Sequence, residues 1–246
     1  MENKEMKLKS FGLFGYKDQD GNVVIPCQWK NARGFSEGLA AVQDENGKWG
    51  FIDESGHVTI PCQWNDTTWG FDEGLTSVQN AKGKWGFIDK TGKVVIPCQW
   101  NDATWFSEGL ASVQDSNDKW GFIDKEGHVI IPCQWHYTLY GFKEGLAKVA
   151  DEKGMCGFIN QSGNVVIPCQ WKDAKFFSEG LAAVQDSNDK WGFIDKMGEV
   201  VIPCQWSNAS WFRKGKVEVQ DVRYGKYHVV DRDGKTLPME QCFIPR

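Results

Sequence analysis

Apolar and polar positions alternate along the chain in short runs that stop at glycine, proline or clusters of Asn, Asp and Ser. Leu110-Ala111-Ser112-Val113-Gln114 is one such run, and the turn Asp115-Ser116-Asn117-Asp118 follows it. Next comes Lys119-Trp120-Gly121-Phe122-Ile123-Asp124, in which Trp120 and Phe122 share a face by period-two alternation. A third run, seen as Val94-Val95-Ile96, is closed by Pro97. Proline cannot donate a ladder hydrogen bond, so it suits a strand end or edge. Asn101 to Gly109, with its Asn, Asp and Ser, reads as a connector. No segment keeps helical periodicity over the roughly ten residues a helix needs. The pattern therefore predicts strands alone, three to a unit.

That unit recurs. Ile-Pro-Cys-Gln-Trp occurs six times, with Pro26, Pro61, Pro97, Pro132, Pro168 and Pro203 spaced by 35 or 36 residues. A degraded seventh copy has Pro238 followed by Met239. The second anchor, Lys-Trp-Gly-Phe-Ile-Asp, carries Gly50, Gly86, Gly121 and Gly192, and Cys156-Gly157 is its variant. The third is Glu-Gly-Leu, at Glu37, Glu73, Glu108, Glu144 and Glu179. Every second turn has a glycine, among them Gly21, Gly56 and Gly92, where a positive φ is expected. The extra residue of the longer spacing is Gly70 or Gly141, and a tolerated insertion predicts a surface loop. The first copy (Leu13-Phe14-Gly15-Tyr16) and the last (Tyr224-Gly225-Lys226-Tyr227) depart from the others. Divergent ends suit units that face solvent on one side.

The expected fold class is all-β: about seven tandem three-stranded antiparallel units in one repeat domain over 1–246. The units are 6–29, 39–64, 75–100, 110–135, 146–171, 181–206 and 216–243. Two architectures fit, an open twisted solenoid and a closed seven-bladed β-propeller. The open array is favoured, because a propeller blade usually has four strands and no strand is left over to lock a ring.

The string Lys84-Trp85-Gly86-Phe87-Ile88-Asp89, continued by Lys90-Thr91-Gly92-Lys93-Val94-Val95-Ile96-Pro97 and then Phe106-Ser107-Glu108-Gly109-Leu110-Ala111, resembles the bacterial WG-repeat family. The resemblance covers nearly the whole chain. It implies a β-rich repeat protein, mostly of unassigned role and not known as a catalyst. Family members often carry Tyr-Asp soon after the proline, where this chain has Gln-Trp.

Composition narrows the function. Of 246 residues, 41% are hydrophobic and 25% charged, enough for a core and for solubility. No apolar run approaches the roughly 20 residues of a membrane helix, and Met1 to Lys9 is polar, so neither membrane insertion nor a signal peptide is expected. A net charge of -5 without a Lys/Arg block argues against nucleic acid as a partner. A cytoplasmic location follows as the expectation.

The 13 tryptophans fall into three sets. Trp49, Trp85, Trp120 and Trp191 lie in the middle strand, while Trp29, Trp64, Trp100, Trp135, Trp171 and Trp206 follow Cys-Gln. Both sets read as core. The third set is Trp69, Trp105 and Trp211, with Tyr140 and Phe176 at matching positions and Gly34 in the first copy. Varied identity in a loop that accepts insertions makes these five rings the candidate binding surface, aromatics being enriched at binding hot spots.

Cys27, Cys62, Cys98, Cys133, Cys169 and Cys204 occur once per repeat with no Cys-x-x-Cys pairing, so they read as structural thiols and no metal site is expected. Asp18-Gln19-Asp20-Gly21-Asn22 and Asp231-Arg232-Asp233-Gly234 echo a calcium loop but lack its later ligands, and turn chemistry accounts for them. The repeated Glu suits a loop-closing role, since an active site is a singular constellation. His57, His128, His136 and His228 are scattered, and no catalytic residue or cofactor site is expected. The leading expectation is a non-enzymatic scaffold that binds a protein partner. Carbohydrate or cell-envelope ligand binding through the loop aromatics is the alternative.

Overall fold

The structure, a computed structural model, describes residues 6–10, 12–223 and 225–238. Tyr224, Met239 and the end of the expected unit 216–243 lie outside the described residues. All regular structure among the described residues is β.

Each repeat is an antiparallel meander. In the second, Asn31–Ser36, Leu39–Gln43, Trp49–Asp53 and Val58–Trp64 pair in that order. The three expected strands are present, and a fourth precedes them where the sequence reads as a connector. In the fourth repeat that segment, Asp102–Ser107, pairs Ala103 with Val113 and Phe106 with Ala111, with an irregularity between. The bulge interrupts the alternation, so Ala103, Thr104 and Phe106 are all buried. A period-two reading cannot recognise such a strand.

The chain divides into two compact units, 1–129 and 130–246, the boundary falling inside the strand Val129–Trp135. The first holds a three-stranded sheet over 6–29 and four-stranded sheets over 31–64 and 66–100, followed by the strands Asp102–Ser107, Leu110–Gln114 and Trp120–Ile123. The second holds four-stranded sheets over 137–171 and 173–206 and a three-stranded sheet over 208–231. Among the described residues no sheet closes on itself.

Cores form where one sheet stacks on the next. Leu39, Trp49, Phe51 and Ile60 of one sheet meet Phe71, Val78 and Ile88 of its successor. Phe158 and Ile167 meet Phe177 and Val184 in the same way. The fully buried rings are mainly phenylalanines. Middle-strand phenylalanines pack edge-on against a Phe of the next repeat, Phe51 on Phe71 at 5.0 Å and Phe193 on Phe212 at 5.1 Å. Trp49, Trp120 and Trp191 are buried as expected, but Trp85 is only half-buried. The Cys-Gln-Trp indoles are half-buried too, and each of the six keeps a buried Nε1 without an acceptor. Because six repeats share it, this orphaned donor belongs to the repeat and does not single out one place in the chain.

The glycines behave in two ways. Gly92 has φ +83°, as its turn requires, and its missing Cβ would lie 3.2 Å from Ile60 of the preceding sheet. Gly70 corrects the expectation of a free loop. It is buried, and a Cβ there would lie 2.8 Å from the Cβ of Ser36.

Candidate functional site

The Glu-Gly-Leu element makes the turn into the second strand. Ser36 pairs with Leu39 across Glu37 and Gly38, both at positive φ (50° and 86°). Such a two-residue turn matches the twist of the flanking strands, and a Glu in it is held against its preference. The reason lies in the next repeat. The Glu37 carboxylate accepts the Gly74 N–H at 3.1 Å and pairs with Lys90 at 3.0 Å. Glu73 does the same with Gly109 and Lys125, and Glu144 with Gly180 and Lys196. Burial pushes the Glu73 carboxyl up, but hydrogen bonds from Lys125 and the Gly109 N–H outweigh it and hold the group below its ordinary range. The repeated Glu is a latch between sheets.

The fourth strands carry the chemistry that varies. In the first unit three of them, with the residues that follow the strand Asp66–Thr67, set Arg33, Thr67, Thr68, Trp69, Thr104 and Trp105 around a cavity of about 480 Å³. Arg33 lies between two indoles, 4.5 Å from the ring centre of Trp49 and 5.6 Å from that of Trp69. Its Nη1 donates to the Thr67 carbonyl, and its Nη2 lies 3.3 Å from Asp66. The cavity hydroxyls are engaged: Thr67 donates to the Ser77 carbonyl, Thr68 accepts from Ser77 at 2.9 Å, and Thr104 meets Ser112 at 2.6 Å.

In the second unit Lys175 holds the position of Arg33. Its Nζ lies 5.3 Å from the Trp191 ring centre and donates to the Ala209 carbonyl, and burial pushes its ammonium pKa down. Lys148, on a neighbouring strand, pairs with Asp173 at 2.6 Å.

The five aromatics expected to form a surface divide by unit. Trp69 is 71% exposed, and Trp105 is half-buried on its strand; both border the cavity. Tyr140, Phe176 and Trp211 form a contiguous row, with ring centres 5.7 and 5.4 Å apart. Sequence reasoning missed Arg33, Lys175 and Asp102. The signal available was a cation in two copies of a position otherwise held by Thr68, Thr104, Leu139 and Ser210.

The thiols among the described residues sit in strands and are half-buried, except Cys156, which is buried. The Cys98 Sγ lies 3.9 Å from the Val78 carbonyl, and burial pushes the Cys62, Cys98, Cys169 and Cys204 thiols up. The expected turn chemistry of the acidic segments is visible at Asp18, whose carboxylate accepts the Asn22 N–H. Asp124, Glu126 and His128 bring three possible metal ligands within 4.8 Å, but Asp124 already accepts the N–H groups of Glu126 and His128 in the same exposed turn.

Among solved structures the chain is similar to BamB from Moraxella catarrhalis, at TM-score 0.60 and 11% identity, covering 97% of this chain and 82% of that one. It is similar to the computationally designed Ika8 protein, at TM-score 0.55 and 10% identity, covering 97% and 87%. Kluyveromyces lactis Hsv2 matches at TM-score 0.51 and 10% identity, covering 80% and 71%. These are propeller-like proteins, and at such identities the likeness is one of fold. No curated protein matches the chain. The family model for the WG containing repeat matches residues 14–49, 49–85, 85–120, 120–152, 157–191 and 191–227, one after another along the meander just described, and the chain belongs to that family.

Proposed function

We propose that this chain is a non-enzymatic interaction module that binds a protein partner through the side chains of its fourth strands. The observation that carries this reading is the cavity bordered by Arg33, Trp69 and Trp105, with an indole at its rim that is 71% exposed. Exposed aromatic surface of this kind commonly marks a contact site. The repeated Glu residues are engaged as latches, which supports a scaffold over a catalyst. The seven cysteines among the described residues are unpaired thiols, several with raised pKa values, which supports a reducing compartment and, in this reading, the cytoplasm.

Carbohydrate binding is a second reading, supported by the exposed Trp69 ring. It is the weaker one, because the cavity hydroxyls that would meet a sugar are engaged within the protein. The test is affinity capture from the native cell with wild type and with Trp69→Ala/Trp105→Ala. A partner retained by wild type and lost by the double variant supports the reading. Equal capture by both removes it, and retention on a glycan array in place of a protein favours the second reading.

A further inference from the structure

The repeats provide their own template for what the cavity receives. Where Arg33 sits, four groups from two neighbouring repeats surround its guanidinium: the Trp49 and Trp69 rings, the Asp66 carboxylate and the Thr67 carbonyl. Lys175 uses the corresponding Trp191 ring and Ala209 carbonyl. One repeat further on from Arg33, the corresponding groups are Trp85, Trp105, Asp102 and the Ala103 carbonyl. The residue that should fill them is Thr68, which is too short and is held by Ser77.

Two observations bear on this seat. The acidic residues of the other repeats are paired, Asp66 with Arg33 and Asp173 with Lys148, whereas Asp102 has no cationic partner among the described residues. The cavity of about 480 Å³ reaches Thr68, Ala103 and Trp105 on one side and Arg33 and Trp69 on the other, and Asp102 and Trp85 lie outside its lining. Burial pushes the Asp102 carboxyl above its ordinary range; the Ala103 N–H opposes this and the nearby Asp66 adds to it, as for a carboxylate without a counter-ion.

We infer that Asp102, the Ala103 carbonyl and the rings of Trp85 and Trp105 form a receptor for an arginine side chain of a protein partner, which takes the place Arg33 holds in its own repeat. This rests on the interaction-module reading above and gives that module its chemistry. A guanidinium fits better than an ammonium because the seat repeats the carboxylate, the carbonyl and both indoles of the Arg33 site. A planar fork can stack on a ring while donating to two acceptors. The net charge of -5 favours the approach of a cationic segment.

The test uses the whole chain with 15N-labelled tryptophan and N-acetyl-arginine methylamide as probe, followed through the indole N–H signals. The citrulline analogue, a neutral near-isostere, and the lysine analogue serve as comparisons. We expect saturable shifts at Trp85 and Trp105 with the arginine probe, none with citrulline, and weaker binding of lysine. Asp102→Asn should weaken the arginine probe by about tenfold or more, the scale of a lost charge-assisted contact. Thr68→Arg should fill the seat from within, abolish the probe shifts and raise Tm. Absence of saturable shifts in wild type overturns the inference, as does equal binding of the citrulline or lysine probe or an unchanged affinity in Asp102→Asn. A captured partner that needs Trp69 but ignores Asp102→Asn would leave the module standing and remove the arginine receptor alone.

Discussion

Gly86 lies so close to Ile96 that a Cβ on the glycine would sit 2.5 Å from the isoleucine carbonyl oxygen and 2.7 Å from the Cys98 nitrogen. The pairing explains it. Trp85 faces Trp100 and Phe87 faces Ile96, so Gly86 alone opposes Pro97, Cys98 and Gln99. The partner strand bulges towards the glycine, and only a residue without a side chain leaves room. The Trp-Gly pair and the Ile-Pro-Cys-Gln-Trp string are thus two halves of one device, repeated at Gly50, Gly157 and Gly192.

Gly86→Ala should accordingly be expensive. Backbone atoms, not flexible side chains, stand in the way, and overpacking of this kind destabilises by at least about 2 kcal/mol. Gly83→Ala is the control. Gly83 has φ +76° with nothing within 4 Å of a Cβ, so its change should cost only about 1–2 kcal/mol of backbone strain. Urea unfolding of both variants would check this, and equal losses would contradict the bulge account.

The three regular strands, the glycine of the second turn and the loop-closing Glu are legible because each repeats in register and follows a simple period or turn rule. The fourth strand is not, since its bulge between Ala103 and Phe106 destroys the alternation. Gly70 was misread for a related reason: spacing reveals an inserted residue but not that Ser36 of another repeat packs on it. The weight of the core was placed on tryptophan by abundance, whereas Phe51, Phe87 and Phe193 fill the sheet interfaces. At the candidate site the rings Trp69 and Trp105 could be named. Arg33 and Asp102 could not, because their meaning lies in contacts between repeats.

The latch at Glu73 should make the junction between its repeats acid-sensitive. Its carboxyl is held below the ordinary value of 4.5 by Lys125 and the Gly109 N–H, despite the opposing pull of burial. A depressed carboxylate stabilises the fold above its unfolded pKa and ceases to do so as pH falls through the folded value. Glu73→Gln should therefore lower the urea midpoint at pH 7, and the gap from wild type should shrink as pH falls below about 4.5. A gap that stays constant down to pH 3 would show that the contact is not ionic.

Native alkylation should be slow at Cys62, Cys98, Cys169 and Cys204. Burial raises these thiols above their ordinary 9.0, and the thiolate is the reactive form. Iodoacetamide labelling followed by mass spectrometry should show native rates well below those in urea at pH 8, rising steeply towards and beyond pH 9. Labelling of Cys98 at the unfolded rate in the native protein would contradict its placement.

Trp69 and Trp49 share one guanidinium, that of Arg33, yet they should behave oppositely when truncated. Trp49 is 5% exposed and packs with Leu39, Phe51 and Ile60, so Trp49→Ala opens a core cavity and should cost about 3–5 kcal/mol. Trp69 is 71% exposed, and its contact with Arg33 at 5.6 Å is worth about 0.5–1 kcal/mol at such a site. Trp69→Ala should therefore shift the unfolding midpoint only slightly while weakening capture of a partner. Trp105, half-buried on its strand, should fall between the two in stability. If Trp69→Ala unfolds as readily as Trp49→Ala, and each folded molecule still binds normally, the exposed indole serves the fold and the interaction face must be sought elsewhere, first at the Tyr140, Phe176 and Trp211 row.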